Sequence, residues 1–473
     1  MSAALSLAQE GFRVTLVEKR AALGGRAGSH QEAATGEWVD NCQHVLMRCC
    51  TNLLDFYARM GVQDKIRFYP SIPFLDRRGR VSLLKSCSLP APLHCAPSFL
   101  RLKFLSPGDK LRIARGLSAL LSLREKPVPA SGTALDWSLA HGQSKRTLDL
   151  FWQPVLVSAL NEDMDRASLR YAAKVFVEAF LSHPQGWWLG IPSVPLSVLY
   201  GDPLSNLLHR LHGRVLTQCV AEKLVVREGK VAAVRLATGE SLDADFVILA
   251  LPWRASAELL PKEQPPAASD AAFKDLSSSP ITGIHLWFDR PVTDLVFAAL
   301  PGGQVQWFFN KSRLLDNGFA AGTYLQLVTS ASRAWMDLTK NQILAIALRE
   351  LREVLPEARN ARILKSYVLK EPAATFSPSP ENEERRPHAA TGIRNLFLAG
   401  DWIRTGWPAT MEGAVRGGYL ATEALLRATG SEARLLVPDL PASGLMRFPK
   451  ELLSRQHSAS VKKPNEPRGS DSS

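Results

Sequence analysis

No run of 18 or more apolar residues occurs in this sequence of 473 residues, so no helix is expected to cross a bilayer. Residues 1–11 lack the basic start and cleavage site of a secretory signal, and a cytoplasmic protein is expected. Cysteine is sparse. The six thiols are Cys42, Cys49, Cys50, Cys87, Cys95 and Cys219, and without an export signal they read as reduced. Cys42, His44, Cys49 and Cys50 crowd together but match no common zinc spacing, so no metal site is expected. Acidic residues are outnumbered, 45 against 57 lysines and arginines, for a net charge of +12. The excess favours anionic partners, whether nucleic acid, an acidic membrane surface or cofactor phosphates. Nucleic acid has little support, because the cations are spread among helical stretches and no recognised binding module occurs. Hydrophobic residues make up 46% of the chain, enough for about two or three packed units.

The stretch FLAGDWIRTGWPATMEGAVRGGYLA, residues 397–421, reads as a buried strand, a loop and a helix starting near Pro408. Free amides and the partial positive charge of a helix start stabilise negative charge there. Gly413, Gly417 and Ala421 recur every four residues, a small stripe that lets the helix backbone approach a sheet or ligand closely. An ordinary, tightly packed strand–loop–helix connection explains these features equally simply. At the other end, Ala4, Leu5 and Ala8 give residues 2–10 a helical period that Gly11 stops, and Phe12–Val17 reads as a buried strand ending at Glu18. Helix, strand, then acid is the second half of a dinucleotide-binding βαβ unit, whose acid accepts ribose hydroxyls. Its first strand and G-x-G-x-x-G turn would precede Met1. The start is therefore read as an internal methionine of a longer gene, with a decayed copy as the alternative. Leu23-Gly24-Gly25-Arg26-Ala27 then brings backbone close to a ligand and a forked donor to a pyrophosphate.

Residues 38–61 hold a polar cluster, Asp40, Asn41, Gln43 and His44, followed by an amphipathic helix; a lone histidine is more often structural than chemical. Residues 71–84 suggest a hairpin around Arg78-Gly79. Residues 98–126 mix leucine and phenylalanine with arginine and lysine, which suits either an anionic membrane surface or a solvated helical face. Further helices are expected over 147–182 and from Leu204, then a strand at Val220 whose edge suits an adenine. A hairpin and the buried strand Asp245–Leu251 follow. From Ile281 to Glu371 the pattern turns to strands, interrupted by a helix capped at Thr339 and Gln342. Trp287, Trp307 and Phe309 on those strands suit an apolar pocket or plain sheet core. Residues 448–473 are polar and rich in Lys, Pro and Ser, and disorder is expected.

With Glu18, the L-G-G-R-A turn, the ILALP strand and AGDWIRTGWPATMEGAVRGG (399–418) in this order, the chain resembles the flavin amine oxidase and phytoene desaturase superfamily. Within it, DNCQHVLMRC (40–49), PFLDRRGR (73–80), FWQPVLVSALNE (151–162) and HLWFDRPV (285–292) are most similar to the hydroxysqualene dehydroxylases. The resemblance implies an α/β fold: a Rossmann-like FAD-binding domain, here without its first strand, plus an α+β substrate domain with a mostly antiparallel sheet and helices. The FAD domain would comprise residues 1–70, 201–255 and 391–430, the substrate domain a helical part at 71–200 and a sheet at 256–390, with a largely disordered tail at 431–473. The implied FAD contacts are Glu18 at the adenosine ribose, Gly24, Gly25 and Arg26 at the pyrophosphate, and Val220 at the adenine. Gly400 and Asp401 would meet a ribose or ribityl hydroxyl, with Thr410, Met411 and Glu412 at the flavin ring.

The implied chemistry is reductive removal of the hydroxyl of hydroxysqualene, a C30 isoprenoid, giving squalene. It needs a dry channel, a hydride source and an acid. His44 is the expected acid and Asp40 its orienting partner. Peripheral contact with an anionic membrane and association with squalene-pathway enzymes fit the same reading. A carotenoid-type desaturase, running the flavin in the oxidising direction, is the rival enzyme. A flavin-free partner in a terpenoid complex is the non-catalytic alternative.

Overall fold

The structure is a computed structural model describing all residues except 32–37, 125–130, 262–275, 317–318, 320–321 and 448–473. The amino-terminal helix Ser2–Gln9 buries Ala3, Leu5, Leu7 and Ala8 and ends before Gly11, whose φ of 86° suits only a residue without Cβ. The strand that follows, Thr15–Val17, pairs in parallel with Arg214–Leu216. A second parallel pair, Val247–Leu249 with Leu396–Leu398, carries the carboxyl-terminal motif. These short strands come from three separated stretches of the chain. An antiparallel layer, Ala221–Arg227, Lys230–Leu236 and Ser241–Asp243, flanks them.

The helix Met411–Ala428 packs on the strand Leu396–Leu398 and on the first helix because glycine opens its face. A Cβ at Gly417 would sit 2.3 Å from the Gly400 carbonyl oxygen, one at Gly413 2.6 Å from that of Pro408, and one at Gly418 2.1 Å from Ser2 Oγ. Gly413 and Gly417 of the small stripe thus make close backbone approaches within the motif, while Gly418, beside the stripe, meets Ser2 of the first helix.

A second unit is built on a seven-stranded sheet in the order Ile363–Phe376, Ser278–Phe288, Thr323–Ser330, Trp307–Asn310, Phe297–Ala299, Ser71–Leu75, Val81–Lys85. Its strands are antiparallel except where Phe297–Ala299 meets Ser71–Leu75. The three-residue strand Phe297–Ala299 escaped the sequence reading, and it is the link that adds the hairpin 71–85 to the sheet rather than to the helical part. Side chains alternate across the sheet. Ile284, Leu286, Phe288, Leu325 and Leu327 pack on one face against Ile343, Ala347 and Leu351 of the helix Lys340–Val354. The opposite face presents Phe297, Trp307, Phe309 and Val328 to Phe151, Trp152 and Phe176. Those three rings sit on helices interrupted by π turns, Leu148–Trp152 and Val175–Leu181, a local widening that is frequent at functional sites.

The basic stretch from residue 98 falls on two helices. Ala96–Leu100 ends, and Ser106 with Asp109 makes a reciprocal cap that starts Pro107–Ser122. Residues 431–447 also differ from the expected free tail. Glu423 accepts from the Leu435 and Leu436 amides, Asn52 pairs with the Val437 backbone, and Leu445 N donates to Ala91 O. The rest of that tail lies outside the described residues. Among the described residues no helix is long and apolar enough to cross a membrane.

Candidate functional site

Strand ends and tight glycine turns position the polar residues. Glu18 ends its strand and accepts from Arg20 N at 2.8 Å, and its carbonyl receives Cys219 N at 3.0 Å. Val220 follows Cys219 and is 47% exposed. The expected ribose acid and the expected adenine-edge residue therefore lie side by side on neighbouring segments.

Gly24 and Gly25 have φ of 116° and 60°, and a Cβ on Gly24 would meet Ala27 O at 2.5 Å. The turn they make delivers Arg26, whose guanidinium pairs with Asp401 at 2.7 Å and donates to Ala374 O at 2.9 Å. The Asp401 carboxylate holds the Arg26 pKa above its already high value, so the charge is permanent. The two residues read as separate cofactor contacts are thus each other's partners, joining the first and third pieces of the layer. Gly400, at φ 140°, approaches the Trp402 ring so closely that a Cβ would fall 2.7 Å from Nε1.

At the start of the helix Met411–Ala428, Thr410 Oγ1 accepts from Gly413 N at 3.2 Å as its N-cap. Met411 Sδ accepts from Tyr200 Oη, itself 2.6 Å from Tyr57 Oη. Glu412 departs from its expected position against a flavin ring. Its carboxylate is buried and bound within the protein, accepting from Asn52 N, Asn52 Nδ2 and Leu53 N and pairing with Arg416 at 2.7 Å. It caps the helix Thr51–Met60, whose unpaired amides attract a carboxylate more strongly than open space does.

The segment 40–44 also departs from expectation. Asp40 does not orient His44. Its Oδ2 lies 2.9 Å from Lys311 Nζ, and its Oδ1 accepts from Ser29 Oγ and Leu196 N. Burial opposes ionisation of Asp40, but Lys311 and these hydrogen bonds outweigh it and lower its pKa. Lys311, 2% exposed, donates also to Gln43 Oε1 at 3.0 Å. His44 instead places Nδ1 2.9 Å from Cys42 O. With the proton there, Nε2 is an open acceptor. Burial first, and Lys311 and Arg26 further, push the His44 pKa below its ordinary value, so the ring is neutral at pH 7 rather than the standing acid expected.

Lys311 and His285 are two buried titratable groups beside this cluster that the sequence did not single out. His285 lies with Gly283 and Trp287 on the aromatic face of the strand Ser278–Phe288, a period-two signal that a polar residue in ITGIHLWF carried. Its Nδ1 is 2.7 Å from Tyr324 Oη and its Nε2 3.3 Å from Gln326 Nε2. Burial, with Lys311 nearby, pushes its pKa down to about 3. Gln326 Oε1 is buried with no hydrogen-bond partner among the described residues. Gly283 brings this strand to the cluster, since a Cβ there would lie 3.4 Å from Asn41 O.

Residues 1–426 match the family described as flavin containing amine oxidoreductase. The chain belongs to that family. It is 27% identical over 443 residues to hydroxysqualene dehydroxylase from Sinorhizobium fredii, covering 91% of this chain and 97% of that protein. It is 24% identical over 455 residues to 15-cis-phytoene desaturase from Solanum lycopersicum, covering 90% of this chain and 76% of that one. An oxidoreductase from Methanosarcina mazei has the same fold, with a TM-score of 0.67 at 19% identity over 88% of this chain and 96% of that one. The chain is an oxidoreductase of this flavin family, and FAD is its cofactor.

The residues present fit that cofactor. The backbone turn at Gly25 is open to a ligand, since a Cβ there would meet nothing within 4 Å, and Gly417 packs directly on Gly400 so that the helix start stands at the strand end. Glu18 and Val220 suit the adenosine end, Arg26 and Asp401 the middle, and the capped helix start at Thr410 and Met411 the ring end.

Proposed function

We propose that the chain reduces hydroxysqualene to squalene, removing the hydroxyl with electrons carried by FAD. The observation that carries the reading is the relative from Sinorhizobium fredii, matched over nearly the full length of both chains. The geometry supports a long apolar substrate with one polar end. Phe297, Trp307, Phe309 and Val328 meet Phe151 and Phe176 in one apolar cluster, and His285, Gln326 and Tyr324 continue the same sheet face as its polar end.

Bound FAD, once reduced, supplies a hydride. The carbon–oxygen bond breaks, a carbon–hydrogen bond forms at that carbon, and the hydroxyl takes a proton and leaves as water. His44 Nε2 is the proposed proton carrier, loaded from solvent, with Cys42 O fixing the ring through Nδ1. The half-buried Arg26–Asp401 and the buried Lys311–Asp40 pairs hold the segments around it and keep fixed charge in place. The apolar wall keeps water from the reacting carbon.

A desaturase acting in the oxidising direction on a related polyene is the second reading, favoured by the match to the phytoene desaturase. Incubating the flavin-loaded chain with hydroxysqualene and a reductant, and separately with phytoene and an oxidant, distinguishes them by product mass. Squalene is expected only in the first. Desaturated phytoene without squalene overturns the dehydroxylase reading.

A further inference from the structure

We propose that the outer surface of the hairpin strand Val81–Lys85, the segment 86–93 and the helices Ala96–Leu100 and Pro107–Ser122 docks on an anionic lipid bilayer. Of the thirteen exposed large hydrophobic residues among those described, six fall within residues 81–111: Val81, Leu83, Leu89, Leu93, Leu100 and Leu111. A seventh, Leu445, is hydrogen-bonded into the same place through Ala91 O.

The charge on this surface has one sign. Residues 81–122, which make up this surface, contain six lysines and arginines and a single acid. That acid, Asp109, is buried in the helix cap and paired with Arg146. Lys85, Arg101, Lys103, Arg112 and Arg115 are exposed and make no ion pair among the described residues.

The elements form one rigid face. Lys85 and Ser98 exchange hydrogen bonds, Lys103 N donates to Ser82 Oγ at 3.1 Å, and Lys110 Nζ donates to Leu100 O at 2.7 Å. Beneath it, Phe99 packs edge-on against Phe151, with ring centroids 5.8 Å apart, so the inner side closes the aromatic cluster of the second unit.

The mixture selects the partner. A protein interface of this size collects its apolar residues into a core and excludes lysine from it. Here the leucines are interleaved with cations, Leu83 with Lys85, Leu100 with Arg101 and Lys103, Leu111 with Arg112. That is the pattern of a surface whose leucines enter the acyl boundary while basic heads stay among lipid phosphates. The inference rests on this surface alone and holds whichever isoprenoid the chain converts.

The test is co-sedimentation of the full chain with vesicles of phosphatidylcholine and of phosphatidylcholine mixed with phosphatidylglycerol. Binding is expected on the anionic vesicles and is expected to fall as salt rises. The triple variant Leu89→Ser, Leu93→Ser, Leu100→Ser changes only exposed positions, so it keeps the parent's circular dichroism and melting and loses about tenfold or more in partition. Arg101→Glu and Lys103→Glu each lose about fivefold or more. No binding to anionic vesicles overturns the proposal, as does equal binding to phosphatidylcholine alone. Undiminished binding of the leucine variant overturns it too, since simple electrostatic adhesion would then suffice. A dimer that the leucine variant disperses, without vesicle binding by the parent, assigns the face to a second copy instead.

Discussion

Lys311 Nζ lies 2.9 Å from Asp40 Oδ2, a buried ion pair that ties the antiparallel sheet to the strand leading into the 40–44 cluster. Each charge is left without compensation if the other is removed. Asp40→Asn and Lys311→Met are each expected to lower unfolding stability by about 3–5 kcal/mol, and the double variant by much less than their sum. Urea unfolding of the four proteins checks this. The Asp40 pKa is lowered in the fold, so its contribution is complete above the ordinary carboxylate value of about 3.9 and is lost as pH falls through the folded value. Asp40→Asn should lack that acid-side loss.

Gly417 and Gly25 separate two reasons for glycine. A Cβ at Gly417 meets backbone, the Gly400 carbonyl at 2.3 Å, whereas Gly25 has φ 60° and nothing within 4 Å of its absent side chain. Gly25→Ala should cost about 1–2 kcal/mol, the strain of a left-handed residue. Gly417→Ala must push the Met411–Ala428 helix off the strand end and is expected to cost more and to lose flavin. Absorbance near 450 nm, in the visible band of oxidised flavin, gives the flavin content, and thermal melting gives the stability order.

Glu412 is expected to act as a cap rather than as a ring contact. Glu412→Ala leaves the Asn52 and Leu53 amides and Arg416 without their carboxylate, a loss of about 3 kcal/mol or more. Glu412→Gln, which still accepts from the amides, should recover part of it. A destabilised variant whose bound flavin keeps the parent's visible spectrum matches this assignment, and a shifted spectrum at unchanged stability contradicts it.

The elements legible beforehand were those with strong local signals. The Thr339–Gln342 capping box, the Arg78-Gly79 turn and the long strands from Ile281 onward all lie where the sequence places them. The strand Phe297–Ala299 was not legible, because three residues carry no period and only its neighbours, Phe74 and Phe309, define it. The same limit applied within the site. Asp40 and His44 are close in sequence, and their closeness suggested a pair. The better partner for Asp40, Lys311, comes from 271 positions away, and only the sheet brings it there. Glu412 likewise found Asn52 across 360 positions.

His285 sets a second acid-side effect, in a different window. Its pKa in the fold is about 3, against about 6.5 for an unfolded chain. Below pH 6.5 the unfolded state takes up a proton that the fold refuses. Stability therefore falls with a slope of up to about 1.4 kcal/mol per pH unit until pH nears 3. Since the pKa is depressed, the contribution is fully present above 6.5. His285→Gln should flatten the slope between pH 6 and 4 while leaving the loss below 3.9 that Asp40 governs. Unfolding free energies across that range, parent against variant, show whether it does.

The pH dependence of turnover separates the two directions of flavin chemistry at His44. Its pKa lies below the ordinary 6.5 because of burial and the cations Lys311 and Arg26. If Nε2 delivers the proton that leaves with the hydroxyl, only the protonated ring is competent, and the rate of dehydroxylation rises as pH falls from 8 toward the lowered pKa. If the ring instead receives a proton from a polyene being desaturated, the neutral form is competent, and the rate falls over the same acid side. In either direction His44→Ala should lose about 10²–10⁴-fold in turnover with flavin content unchanged. A variant that retains the parent's turnover with bound flavin excludes His44 as the proton carrier. A rate that rises toward acid in the parent, and is flat and low in the variant, assigns it the donor's part and with it the reductive direction.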